Sequence, residues 1–134
     1  EFFYGDNGLL INEIAPRTHN SAHFSIDACS SSQFDQQICI SSGIDVPMPE
    51  MLVDGALMAN LLGLQSNYPI TLTQRLDRLR GIPGLNVHWY EKEEEKKGRK
   101  LGHVTYLLKN KDALSRKKEA LDILKTIRSI WPTS

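Results

Sequence analysis

The chain has few cysteines, no excess of either charge and no long apolar run, and each of these features excludes a class of protein. Cys29 and Cys39 have neither zinc-motif spacing nor that of a secreted disulfide framework, which predicts free thiols packed within a helix. Sixteen Lys and Arg balance sixteen Asp and Glu, so no global field favours nucleic acid or an anionic membrane. No apolar run approaches the roughly 20 residues of a membrane helix. We therefore expect a cytoplasmic protein that binds neither nucleic acid nor membrane.

The hydrophobic pattern mixes strands with helices. Runs bounded by turn residues predict a β-hairpin at 2–11, a buried strand at 56–62 and a second hairpin built from 86–92 and 101–108. Helical spacing predicts helices at 26–42 and 71–80. Because strands and helices do not strictly alternate, the expected fold is α+β, or part of a larger α/β enzyme.

The last segment carries the strongest helical pattern of the chain. Asn110 or Asp112 is expected to cap its first turn. Apolar residues on one face are predicted to be buried, namely Leu114, Leu121, Leu124, Ile127 and Trp131.

Two acids flank the first hairpin. If Asp6-Asn7-Gly8 forms a three-residue loop, the strand register places Glu1 opposite Glu13. Two like charges directly opposite each other destabilise a hairpin unless a cation neutralises them. Mg²⁺ binds carboxylates together with substrate phosphates, so the pair predicts a metal-nucleotide site, to which Asn12 and Asn20 would add neutral oxygens. The alternative is a hairpin whose two acids point into solvent.

The loop at 14–24 follows these acids and is dense in hydrogen-bonding side chains. They are Arg17, His19, Asn20, Ser21 and His23. Arginine offers a planar fork that matches a carboxylate, bicarbonate or phosphate, and histidine can move a proton near neutral pH. The group predicts an anion pocket. The alternative is that each side chain only stabilises the loop.

Three blocks carry a family resemblance. They are NEIAPRTHNSAHFSIDACSSSQFDQQ at 12–37, NLLG at 60–63 and GRKLGHV at 98–104. In this order they resemble the N5-carboxyaminoimidazole ribonucleotide synthases, which are ATP-grasp enzymes of purine biosynthesis. The resemblance implies that ATP and bicarbonate carboxylate 5-aminoimidazole ribonucleotide through a carboxyphosphate intermediate, releasing ADP and phosphate.

The resemblance also assigns roles to residues. It implies that Mg²⁺ or Mn²⁺ on the ATP phosphates is held by Glu1 and Glu13, with Asn12 at the same cofactor site. The residues that it implies face bicarbonate and the aminoimidazole are Arg17, His19 and Asn20. Those that it implies bind the ribonucleotide are Ser21, Arg99 and Lys100. From composition alone, the last two would be an exposed hairpin tip.

The same resemblance divides the chain. Residues 1–50 are expected to form the C-terminal end of an ATP-grasp catalytic domain, and residues 51–134 a small C-terminal α/β domain. No Gly-rich loop or lid lysines precede Glu1, so we expect a C-terminal portion of a longer polypeptide, inactive alone and homodimeric when complete. The alternatives are another ATP-grasp ligase, similar to glycinamide ribonucleotide transformylase or biotin carboxylase, and a non-catalytic binding domain.

Overall fold

A computed structural model describes residues 1–64, 68–92 and 94–133. Its strands are β1 (Phe2–Gly5), β2 (Gly8–Ile11), β3 (Ala56–Leu62), β4 (Leu85–Trp89) and β5 (Lys100–Leu107). Its α-helices are α1 (Ser25–Ala28), α2 (Gln33–Ser42), α3 (Leu72–Arg80) and α4 (Ala113–Ile130), and a 3₁₀ turn spans Asn20–Ala22. The mixture of helices and strands confirms the expected α+β class. None of the helices described here combines the length and apolar character needed to cross a bilayer.

A three-stranded antiparallel sheet with the order β3-β5-β4 organises the second half of the chain. Helices α3 and α4 cover one face of this sheet, where Val104 and Tyr106 of β5 join the hydrophobic core with Leu79 and Ile127. Because side chains alternate along a strand, the intervening residues of β5 point to the other face. That second face packs against α1.

The second face of the sheet carries a row of polar residues. The register places His103 of β5 directly between Asn60 of β3 and His88 of β4. We call these three residues the polar row. Burial of a polar group is costly without a hydrogen-bond partner, and among the described residues His103 Nε2 is buried without one.

Several predicted elements are confirmed. The strand at 56–62, the helix ending at Arg80 and the second hairpin all form, although the first strand of that hairpin ends at Trp89 rather than at residue 92. Thr71, just before α3, caps that helix by accepting from the backbone N–H of Gln74. Asp112, rather than Asn110, caps α4. Both cysteines are free thiols, as predicted, but each is only half-buried and only Cys39 lies within a helix, since Cys29 is extended.

The predicted register of the first hairpin is wrong by one residue. Gly5 pairs with Gly8, so the turn holds only Asp6 and Asn7, and Glu1 lies opposite Asn12 rather than Glu13. Gly8 has a φ of 80°, and this left-handed conformation lets it enter the strand pairing directly after the turn.

The single helix predicted at 26–42 is also wrong, because the chain breaks between α1 and α2. Cys29 is extended and forms a bridge with Met51. Ser32 then starts α2 with a capping box in which its hydroxyl accepts from the N–H of Asp35 and its own N–H donates to the Asp35 carboxylate. A reciprocal cap of this kind fixes a new helix start even within an apolar periodic pattern.

The buried face of α4 is narrower than predicted. Ile127 and Trp131 are fully buried and Leu124 packs against the core. Leu114 and Leu121, however, are 79% and 56% exposed. Only the C-terminal half of the predicted apolar stripe therefore joins the core.

A buried arginine anchors the segment that precedes β5. Arg75 is 2% exposed, lies 4.3 Å from the ring centre of Trp131 and donates from Nη2 to both carboxylate oxygens of Glu95, at 2.8 and 2.7 Å. Glu95 also accepts the N–H of Leu64. Charge-assisted bonds to a buried guanidinium hold the loop against the end of β3.

Gly63 allows this loop to approach closely. Its N–H donates to Arg99 O, its O accepts from Gly98 N–H, and a Cβ at this position would lie 2.0 Å from Lys96 O. The blocks at 60–63 and 98–104 are therefore in direct backbone contact.

We predict that Gly63→Ala destabilises the full-length protein by on the order of 1–3 kcal/mol, because the added methyl group must displace backbone. Gly81→Ala is the matched control, since its Cβ would meet its nearest atom at 3.4 Å and its φ is −74°. Urea unfolding of both variants measures the difference. Equal unfolding free energies would contradict the close approach.

Candidate active site

Two carboxylates and a histidine cluster beside the first hairpin. Glu1, Glu13 and His19 each bring one ligand atom to within 4.8 Å of the others. The two acids are not directly opposed across the strands. Glu13 nevertheless lies only just beyond the end of β2, so its carboxylate comes close to that of Glu1. The hairpin and the loop after it therefore build one acidic centre.

Neutral donors hold the carboxylate of Glu1. Asn12 Nδ2 donates to Oε1 at 2.5 Å, and the Ser21 hydroxyl donates to Oε2. The Ser21 hydrogen bond, followed by that of Asn12, lowers the pKa of Glu1 below its ordinary value. Neutral hydrogen-bond donors are thus the main reason that Glu1 stays anionic.

His19 supports the second acid. Its Nδ1 accepts from the backbone N–H of Ser21 at 3.2 Å, so the ring proton of the neutral imidazole lies on Nε2. That nitrogen lies 2.6 Å from Glu13 Oε1 and donates to it. This tautomer makes His19 a hydrogen-bond donor to Glu13 and leaves metal binding to the carboxylates.

Gln33, which sequence reasoning missed, fixes the backbone of His19. Its Oε1 accepts the His19 N–H at 2.7 Å and its Nε2 donates to the His19 carbonyl at 2.8 Å. The same Nε2 lies 2.7 Å from Nδ1 of His23. Its position within the resembling block at 12–37 was the only sequence signal.

The loop and α1 dock onto the polar row through three contacts. Asn20 exchanges two hydrogen bonds with Asn60, both at 2.9 Å. The His23 ring lies 5.1 Å from that of His103. The third contact involves His88, at the other end of the polar row. Its Nε2 lies 2.8 Å from Oδ2 of Asp27.

His103 lies at the centre of this interface. It is 1% exposed, stacks on His88 at 4.5 Å and has its Nδ1 2.8 Å from the Tyr90 hydroxyl. Burial, reinforced by His88 and then His23, lowers the pKa of His103 to about 4. Burial and the charge of Lys100 likewise lower the pKa of His23. His23 and His103 are therefore neutral near pH 7.

A cavity of about 920 Å³ opens between the first hairpin and β3. Its polar wall comprises Glu1, Glu13, His19, Asn20, Ser21 and Asn60. Lys100 reaches this wall, since its Nζ donates to Asn20 Oδ1 at 3.1 Å. The predicted acids, loop donors and one basic residue therefore meet at one place.

Two predicted residues lie apart from this cavity. Arg17 is exposed and donates to the neighbouring carbonyl of Thr18 at 3.0 Å. Arg99 is exposed beside Gly98 at the start of β5. Among the described residues, neither guanidinium contributes to the cavity lining.

The acidic centre fits a hard divalent cation. Its oxygen ligands come from Glu1 and Glu13, and Mg²⁺ prefers carboxylate oxygens while keeping waters and substrate phosphates as its other ligands. The open cavity beside the acids leaves room for those ligands.

Comparisons with known proteins agree with both halves of this architecture. The ATP-grasp domain family matches residues 1–34, and the phosphoribosylaminoimidazole carboxylase C-terminal domain family matches residues 56–117. The N5-carboxyaminoimidazole ribonucleotide synthase of Synechococcus elongatus is 42% identical over 135 residues, which cover 98% of this chain and 33% of that protein.

Solved structures are similar over nearly the whole chain. The phosphoribosylaminoimidazole carboxylase ATPase subunit of Aquifex aeolicus has a TM-score of 0.71 and 29% identity, covering 97% of this chain and 36% of that one. The Aspergillus clavatus synthase in complex with ADP and 5-aminoimidazole ribonucleotide has a TM-score of 0.69 and 26% identity, covering 96% and 34%.

The fold and the acidic centre place this chain in the ATP-grasp class of proteins. Within that class it belongs to the N5-carboxyaminoimidazole ribonucleotide synthase family. The chain spans about a third of the length of the curated relatives it matches. Its division between residues 50 and 51 and the roles of its site residues stay predictions.

We predict that the neutral His103 makes stability depend on pH. Its pKa is lowered from 6.5 to about 4, so its contribution is complete above pH 6.5 and is lost as the pH falls towards 4. The loss is on the order of 3 kcal/mol at full protonation. Urea unfolding at pH 7.5 and pH 4.5 should show a smaller pH dependence for His103→Asn than for the unsubstituted protein. Equal dependence would contradict the assignment.

Proposed function

We propose that the full-length polypeptide carboxylates 5-aminoimidazole ribonucleotide to N5-carboxyaminoimidazole ribonucleotide, using bicarbonate and ATP in purine biosynthesis. The observation that supports this most is that Glu1 and Glu13 line one cavity with Asn20, whose amide oxygen accepts a hydrogen bond from Lys100. A nucleotide-bound cation and an anionic substrate need groups of opposite charge in one site, and the two acids and Lys100 offer both.

In this proposal Glu1 and Glu13 hold Mg²⁺ or Mn²⁺, and Asn12 orients Glu1. The cation, when bound, neutralises phosphate oxygens of ATP and so favours transfer of the γ-phosphoryl group. His19 keeps the Glu13 carboxylate in place through its Nε2 hydrogen bond. Such support matters because small displacements of positioned groups cost large factors in rate.

The proposed reaction has two steps. A bicarbonate oxygen attacks the γ-phosphorus of ATP, and the bond to the β-phosphate oxygen breaks to release ADP. The carboxyphosphate so formed delivers its carbon, directly or as CO₂, to the exocyclic amine of the ribonucleotide. The new C–N bond replaces the C–O bond to phosphate, and the amine loses one proton, leaving a carbamate and inorganic phosphate.

The basic and polar residues have proposed places around the ribonucleotide. Asn20 and Ser21 lie in the cavity wall near the reacting groups, while Lys100 offers a positive charge beside Asn20. Arg99, exposed next to Lys100, is available to the 5′-phosphate, and Arg17 is available to bicarbonate once the rest of the polypeptide is present. Fixed cations of this kind stabilise developing negative charge.

We also propose that the protein is a cytoplasmic homodimer, as the family resemblance implies. The buried Trp131 is not available to such an interface, because it packs in the core with its Nε1 donating to Leu62 O at 2.7 Å. The exposed Leu114 and Leu121 of α4 are the apolar residues of that helix free for contact.

We predict that Glu13→Ala lowers turnover by at least about 100-fold, because it removes a cation ligand and the partner of His19. The assay is ADP release by the full-length protein with Mg-ATP and bicarbonate, with and without the ribonucleotide. Glu50→Ala, an exposed acid outside the cavity lining, is the matched control. Turnover of Glu13→Ala at the wild-type rate would contradict the assignment of Glu13 as a cation ligand. If the ribonucleotide did not stimulate ADP release by the wild-type protein, the proposed reaction would be wrong.

Arg99→Ala should raise the KM for the ribonucleotide about tenfold with little change in kcat, since a phosphate contact is made equally in ground and transition states. Arg80→Ala, an exposed arginine on α3, serves as the control. An unchanged KM in Arg99→Ala would remove this residue from the phosphate site.

A further inference from the structure

Asn60 contacts the candidate active site from outside the loop at 14–24 that carries most of the site's side chains. It lies on β3, where its register partner is His103 and its carbonyl accepts from Arg128 Nη1 at 3.2 Å. Strand pairing and the α4 contact therefore fix its backbone. The loop residue Asn20, by contrast, belongs to a single 3₁₀ turn.

The amide pair between Asn60 and Asn20 is reciprocal. Asn60 Nδ2 donates to Asn20 Oδ1, and Asn20 Nδ2 donates to Asn60 Oδ1, both at 2.9 Å. Two antiparallel bonds define the plane of the Asn20 amide as well as its direction. They point its oxygen towards the start of β5.

That oxygen also accepts from Lys100 Nζ at 3.1 Å. A carbonyl oxygen has two lone pairs, so Asn60 and Lys100 together fill its acceptor capacity. Among the described residues, no carboxylate lies within 4.0 Å of Lys100. A neutral oxygen therefore orients the ammonium group and leaves its positive charge for an anion.

We propose that Asn60 is a positioning residue for the carboxylation, acting through Asn20 to set the orientation of the Lys100 ammonium towards the anionic ribonucleotide. This inference rests on the proposed function. Asn60 itself need not touch the substrate. Its effect passes along the chain of contacts from Asn60 to Asn20 to Lys100.

The test is a double-mutant cycle in the full-length protein, with ribonucleotide-stimulated ADP release as the assay. The variants are Asn60→Ala, Asn20→Ala and the double substitution, with Asn86→Ala on β4 as the matched control. Asn60→Ala should raise the KM for the ribonucleotide about tenfold or more, as expected for a displaced binding group. The double variant should be no worse than Asn20→Ala alone, because one pathway is broken in both.

Asn60→Asp separates positioning from folding. It keeps the size of the side chain and the acceptor for Asn20 Nδ2 but loses the donor to Oδ1. We expect a circular dichroism spectrum and melting temperature close to those of Asn86→Ala, with a raised ribonucleotide KM.

Three results overturn the inference. Multiplicative losses in the double variant would show that Asn60 acts independently of Asn20. A KM for both Asn60 variants equal to that of Asn86→Ala would show that Asn60 has no positioning role. Wild-type protein without ribonucleotide stimulation would overturn the proposed function and this inference with it, whereas the first two results leave the proposed function standing.

Discussion

The architecture depends on the polar contact between the second face of the three-stranded sheet and the segment that covers it. Asn20, His23 and Asp27 meet Asn60, His103 and His88 in turn. The covering residues recur at intervals of three and four, which is the spacing of one helical face. Polar partners must match in direction as well as position, so this docking fixes where the loop lies more narrowly than apolar packing would.

The geometry of the acidic centre depends on how this segment docks onto the sheet. His19 precedes the first docked residue and Ser21 follows it, and these two side chains hold Glu13 and Glu1 respectively. Gln33 closes the arrangement by pairing with both backbone groups of His19. The carboxylates are therefore oriented by hydrogen bonds from two loop side chains on either side of Asn20.

The elements of the fold were largely predictable from the sequence because they depend on local patterns. The helix at 71–80 and the strand at 56–62 are examples. The register of the first hairpin was not, since it depended on whether Gly8 belonged to the turn or to the strand, and its left-handed φ is a property of the folded backbone. The break before α2 had a signal in Ser32 and Asp35, a serine-aspartate cap that the apolar spacing obscured.

The candidate site was predictable only in part, for a related physical reason. The acids and loop donors lie close together in the chain, so their density was visible. The partners that hold them, Gln33, Asn60 and His103, come from distant positions that only strand register and helix docking bring together. The stripe of Asn20, His23 and Asp27 marked one side of the contact, but nothing local identified the strands opposite it.

We propose that the acidic centre serves transfer of a phosphoryl group from ATP to bicarbonate. To test this, the full-length protein is given ¹⁸O-labelled bicarbonate, Mg-ATP and the ribonucleotide. Mass spectrometry then measures how much ¹⁸O the released phosphate contains. We expect one bicarbonate oxygen in each phosphate, because the attacking oxygen stays on phosphorus when the carbon is transferred. Phosphate whose new oxygen comes from water would contradict it.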